Sequence, residues 1–136
     1  MQNDLDLSGV PAFKGYYANA REKGLYVHYH AGTGSDDMQN YIRSEDLLLF
    51  MLEDPGFIKE IADAIAKNAL DGIKILYAEG CEFDAFWTYN DMGYRNDCLF
   101  SPDLYDQIIA PSDKERNDWA HAHRMQTILH SDGCIK

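Results

Sequence analysis

Cysteine is sparse: only 3 of the 136 residues are cysteine, at Cys81, Cys98 and Cys134. That odd number, without any C-x-x-C spacing, excludes a disulfide framework and a zinc finger. Basic residues are also few. Twelve Lys+Arg stand against 23 Asp+Glu, leaving a net charge of −11 and a pI near 4.6. A chain so acidic lacks the Lys/Arg–phosphate contacts that supply most non-specific nucleic-acid affinity. No apolar stretch approaches the ~20 residues that span a bilayer, since the longest strongly apolar run is Leu47 to Leu52. The opening segment MQNDLDLSG has neither the basic nor the apolar region of a secretion signal. These absences make a reducing cytoplasm the expected setting, with no membrane and no nucleic-acid partner.

Repeats, low-complexity tracts and Pro/Gly/Ser linkers are missing too, so residues 1–136 read as one domain or a piece of one. Residues 1–12 are polar and weakly patterned, the stretch with least to order it. The 46% apolar content can bury a core. The length nevertheless falls short of a complete (β/α)₈ barrel, which takes ~250 residues.

What is present is a series of start and stop signals. Phe13 to Lys23 reads as a short helix closed by Gly24. Leu25 to His30 (LYVHYH) reads as a strand running into the glycine loop AGTGS. Ser44 precedes EDLLLFML, with Glu45 and Asp46 at the positive end of a helix dipole. Asp54-Pro55 is an N-cap followed by proline in the first turn. From there Phe57, Ile61, Ile65, Ala69, Ile73 and Leu76 recur at helical spacing, predicting a long amphipathic helix that ends near Gly80. Phe83 to Tyr89 is short and aromatic, a strand. Ser101-Pro102 opens another helix, interrupted at Pro111 and recapped at Ser112, and Gln126 to His130 (QTILH) is a last strand.

Long helices between short strands imply crossovers, and crossovers join parallel strands. In such folds chemistry sits at the carboxyl ends of the strands. Those ends carry His28, His30 and AGTGS, then Thr88 to Asp91, then His130 to Cys134. Asp91 is placed to act as an acid or base, or to bind substrate. His130 and Asp132, two residues apart, fall on one side of an extended strand end, as a substrate or metal dyad would, or serve an ordinary turn. His28 and His30 share one side of their strand. That side is either a pocket or the layer under the helices, and periodicity leaves both open. Gly32 and Gly34 fit a plain turn better than an anion cradle. His121 and His123 complement a helix end, and Trp87 and Trp119 read as packing residues.

A linked series of motifs resembles the uroporphyrinogen decarboxylase superfamily, which includes the decarboxylase and the cobalamin-dependent methyltransferases. The series is EDLLLFMLEDPGFIKEIADAI, AEGCEFDAFWTYNDMGYRNDCLFSPDLYDQIIAP and WAHAHRMQTILHSDG, spanning roughly residues 25–135. The resemblance implies the middle of a TIM barrel, about three parallel strands with crossover helices, and a tetrapyrrole or corrinoid-type substrate. It implies zinc or a corrinoid on the methyltransferase branch and no cofactor on the decarboxylase branch. His28 falls where the decarboxylase has a mid-barrel Tyr, and Ala85 falls at or near a substrate-contacting Ser. His130-Ser131-Asp132 stands where the methyltransferases carry His-x-Cys, so a hard carboxylate replaces a soft thiolate. On this reading Asp91 and His130 are catalytic, His28, His30 and Asp132 bind substrate, and His130 with Asp132 is the metal candidate. The isolated chain is expected to be inactive, and its unpaired strand edges to favour self-association. The alternative is a non-catalytic assembly module.

Overall fold

A computed structural model describes residues 8–135. The elements are α1 (Val10–Glu22), β1 (His28–His30), α2 (Gly34–Met38), α3 (Ser44–Glu53), α4 (Pro55–Ala78), β2 (Ala85–Tyr89), α5 (Pro102–Ile108), α6 (Ala110–Ala122) and β3 (Gln126–His130). The strands form an open parallel sheet in the order β1-β2-β3. This is a mixed α/β architecture in which each strand follows its neighbour through helices. No helix among the described residues is long and apolar enough to cross a membrane.

Local chemistry accounts for most boundaries. Asp54 caps α4 by accepting the Phe57 amide proton at 3.1 Å, and Pro55 begins the first turn. Ser101 caps α5 in the same way through the Leu104 amide. Ser44 does not cap α3, because its hydroxyl donates to Gln39 Oε1 instead. Nor does Ser112 recap α6: its hydroxyl turns to Asp63, and the break falls at Ile109, one residue before α6 begins. The first strand is shorter than Leu25 to His30, with only His28 to His30 paired. The glycine loop gives way at Gly34 to the short helix α2. Helix α1 begins at Val10, inside the weakly patterned stretch, while residues 1–7 lie outside the described residues.

Helix α4 serves two cores, and this shifts its buried face. Its first half buries Ile58 and Ala62 beside Met38, Leu47, Met51, Ile108 and Ile109. Its second half buries Ala69, Leu70 and Ile73 beside Phe83, Phe86, Ala120 and Met125. Ala69 and Ile73 keep the expected face, but Phe57 is 46% exposed and Ile58 is fully buried in its place. Each full-length apolar side chain buried here contributes about 1.5–3 kcal/mol over leaving it in water.

The two faces of the sheet differ, and this positions the site. On one face Tyr29 and Phe86 meet edge-on at 5.2 Å, the Tyr29 hydroxyl approaches Gly72 of α4, and Arg116 of α6 lies over Phe86. Side chains alternate along a strand, so the register sends His28, His30, Trp87, Tyr89, Ile128 and His130 to the other face. His28 and His30 are therefore not under the helices. They stand exposed on the opposite face, which settles the phase that periodicity left open.

Candidate functional site

The carboxyl ends of all three strands meet in a polar cluster. Register places Tyr89 opposite His130, so Asp91 and Asp132, each two residues further on, stand at the same height. Asp91 Oδ1 accepts the Asp132 amide proton at 2.7 Å. The same oxygen lies 3.8 Å from His130 Nε2, and Asp132 Oδ1 lies 3.3 Å from it. One donor atom from each of these three residues lies within 4.8 Å of the others. The imidazole is thus set between two carboxylates, half exposed and open to a ligand.

Beneath this trio the backbone is held on both sides. Asp36 of α2 accepts the Asp91 amide proton at 2.6 Å. Ser131 Oγ accepts the Met92 amide proton at 3.2 Å, and the Asn90 amide donates to the His130 carbonyl at 2.9 Å. Asn90 itself is buried, and its Oδ1 accepts from both the amide and the hydroxyl of Ser35. Gly34, at φ 74°, allows this approach, because a Cβ there would run into the Asn90 amide. These bonds tie the loops after β1, β2 and β3 into one platform.

An aromatic row extends from the trio across the open face. Trp87 lies with its ring centroid 6.5 Å from His130, 4.5 Å from His30 and 5.7 Å from His28. Tyr89 adds a contact with His30 at 5.5 Å. Trp87, read from sequence as a packing residue, does pack, but against exposed histidines rather than under the helices. Asp91 comes together with the pair His130 and Asp132. His30 joins them through the Trp87 and Tyr89 rings, whereas His28 sits at the amino-terminal start of β1, opposite Ala85, further from the trio.

Several site residues escaped the sequence reading. Asp36 and Asp37 follow GTGS directly, and their place after a strand was the available signal. Burial pushes the Asp37 carboxyl above its ordinary range, the neighbouring charge of Asp36 adds to this, and His30 opposes it. Behind the platform, buried Arg116 donates to Thr33 Oγ1 at 3.1 Å and to Asp113 Oδ1 at 2.6 Å. Tyr105 donates to the other Asp113 oxygen at 2.8 Å. Burial, reinforced by the Asp113 charge, pushes the Tyr105 hydroxyl far above its usual value. Asp113 and Arg116 are three apart on a helix, a spacing compatible with an ion pair, but their burial is not visible in sequence.

All three cysteines are free. Comparison with protein-family models, with curated proteins and with solved structures found no match.

Proposed function

We propose that this chain supplies one wall of a ligand pocket in a barrel-type enzyme of the uroporphyrinogen decarboxylase superfamily, on the corrinoid or metal-using side of that lineage. One observation carries the reading. The Asp91–His130–Asp132 trio and the His30–Trp87–Tyr89 row occupy the face opposite the Tyr29–Phe86 contact, at and beside the carboxyl ends of parallel strands. A flat conjugated ligand would lie against the ring row, and the trio would meet its reactive edge.

The charge of the platform separates the two branches. Asp36, Asp37, Asp91 and Asp132 all stand at the mouth of this face. Like charges there disfavour the many carboxylates of a porphyrinogen. A cation, or a corrinoid presented from the ring row, suits them better. The donor set of one imidazole nitrogen and two carboxylate oxygens fits a divalent ion of the borderline-to-hard kind. His130, Asp91 and Asp132 would hold it, and such an ion polarises a bound thiol or water. The remaining residues orient the trio: Asp36 fixes the Asp91 backbone, and Ser131 fixes that of Met92. The three strands among the described residues make one wall of the pocket, so the chain alone binds its ligand and does not turn it over.

The test is a titration with Co²⁺, read in the visible absorption of the bound ion, and with hydroxocobalamin, read in its own spectrum and in tryptophan fluorescence compared between the wild type and Trp87→Phe. Saturable binding of Co²⁺ that His130→Ala abolishes supports the reading. Absence of any spectral change with both ligands sinks it.

A second reading, self-association without catalysis, is favoured by the edges of the sheet. Among the described residues both β1 and β3 pair on one side only, and β3 exposes Ile128 at 39% and Leu129 at 46%. Unpaired strands with apolar side chains invite pairing with a second copy.

A further inference from the structure

The opposite end of the sheet, at the amino ends of the strands, carries a cavity that the proposed function does not use. It measures about 520 Å³, and its lining includes the carboxylates Glu82 and Asp84 as well as Arg21, Tyr77, His123 and Arg124. That size falls within the ~300–1,000 Å³ common for small-molecule sites.

Three helices end at this level and turn into strands by the same device. At each end, two amides bond back to helix carbonyls: Gly24 to Arg21 and Leu25 to Ala20; Gly80 to Tyr77 and Cys81 to Leu76; Arg124 to His121 and Met125 to Ala120. The residue at the turn has φ of 66° at Gly24, 87° at Gly80 and 62° at Arg124. Glycine takes this left-handed conformation without strain, and a residue with a Cβ does not. Arg124 is the exception among the three, so its side chain is retained against the preference of its own backbone. Such an outlier points to a role for the side chain.

The surroundings define that role. Arg21 is engaged, pairing with Asp84 at 2.6 Å and donating to the Glu82 carbonyl. Arg124 has no carboxylate within ion-pair distance among the described residues. It follows directly after His123, whose ring stacks on Trp119 at 4.1 Å and meets Tyr77 edge-on at 4.8 Å. His123 Nδ1 lies 2.7 Å from the Trp119 carbonyl, which fixes the ring. Tyr26 donates to Gln126 Oε1 at 2.8 Å, leaving the Gln126 amide group as a further donor. A fixed aromatic wall beside an unpaired guanidinium suits a ligand that joins a flat ring to an anion.

We infer that the cavity between Arg21, Tyr77, His123 and Arg124 binds a small aromatic anion of mononucleotide size, with Arg124 holding the anionic group and the His123–Tyr77 wall meeting the ring. The experiment is a titration of the full chain with adenosine 5′-monophosphate, followed by NMR of the histidine rings, with adenosine and inorganic phosphate as separate arms. The monophosphate should shift the His123 resonances, leave those of His130 in place, and bind at least about tenfold more tightly than either half, a charge-assisted contact being lost in one and the ring contact in the other. Arg124→Ala should lose at least about tenfold in affinity, and Arg124→Lys, which keeps the charge, should retain most of it. Arg124→Gly should also lose binding while raising Tm by about 3 °C, because the backbone strain is relieved. Undiminished binding in Arg124→Ala, equal binding of inorganic phosphate, an unmoved His123, or a lower Tm for Arg124→Gly would each overturn the inference.

Discussion

Asp91 Oδ1 accepts the backbone amide proton of Asp132 at 2.7 Å, joining the loop after β2 to the loop after β3. The bond exists because parallel pairing sets Tyr89 against His130 and so brings positions 91 and 132 level. One carboxylate oxygen thus has two duties: it fixes the neighbouring loop and it faces the imidazole of His130. The structural and the chemical roles of Asp91 can be separated by substitution.

Asp91→Asn keeps an acceptor oxygen and removes the charge, so it should unfold in urea within about 0.5 kcal/mol of the wild type. Asp91→Ala removes the acceptor as well, and should cost about 1 kcal/mol, since the site is partly solvated. Both should lose Co²⁺ binding. Equal stability of the two variants would show that the Asp132 amide finds another partner.

Asp37 gives a pH dependence of defined sign. Burial first, then the charge of Asp36, raise its carboxyl above the unfolded value of about 3.9, with His30 opposing. A raised group contributes its stability fully below the unfolded pKa and loses it as pH rises through the folded one. Asp37→Asn should therefore be more stable than the wild type at pH 7, and the two should converge below about pH 4. Thermal melts at pH 3.5 and pH 7 decide it, and a constant offset between the curves would refute the assignment.

The opposite sign applies to Asp84. The Val27 amide donates to its carboxylate at 2.7 Å, and this bond, with desolvation opposing and Arg21 assisting, lowers its pKa. The contribution is present above the unfolded value of about 3.9 and fades as pH falls through the folded one. Asp84→Asn should cost about 1 kcal/mol at pH 7, discounted for its solvent-exposed side, and progressively less as pH falls below about 3.9. Denaturant curves taken from pH 7 downward test this.

Much of this arrangement is legible in the residues, and the illegible part has physical causes. Asp54-Pro55 and Ser101-Pro102 announce their helices because capping is local chemistry. Asp91, His130 and Asp132 are each marked by their place at strand ends, but their meeting depends on the register that sets Tyr89 against His130. By contrast, the side to which His28 and His30 point depends on which face the helices cover, a tertiary fact. The drift of the α4 face from Phe57 to Ile58 arises because one helix serves two cores. The Thr33–Arg116–Asp113 bonds join residues 83 apart in the chain. Arg124 is concealed for a simpler reason: a helix stop normally shows itself as glycine, and here the glycine is missing.

That buried pair behind the site offers a sharp stability test. Arg116 and Asp113 side chains are 6% and 10% exposed, and each satisfies the other. Arg116→Met leaves the Asp113 charge buried with only Tyr105 as a donor, and should cost about 3 kcal/mol or more. Asp113→Leu should cost a similar amount by leaving the buried guanidinium without a carboxylate, its remaining acceptors Thr33 and Asn117 being neutral. The double variant should recover a large part of the loss, because no uncompensated charge remains. Additive losses in urea unfolding would mean the two side chains act independently.

The edge strand β3 yields the last expectation. Its amide and carbonyl groups pair with β2 on one side, while Ile128 and Leu129 project to opposite faces and are both exposed. A second chain can add to such an edge, taking the unpaired backbone groups and covering both side chains at once. Light scattering should then show association that strengthens with protein concentration. Leu129→Lys places a charge on the helix-side flank of the edge, which natural sheets use to block pairing, and should shift the chain toward monomer. Because Leu129 faces away from the Trp87 row, this variant should leave Co²⁺ binding at His130 unchanged. A wild type that stays monomeric at all concentrations would remove the assembly reading and leave the ligand pocket as the use of the open face.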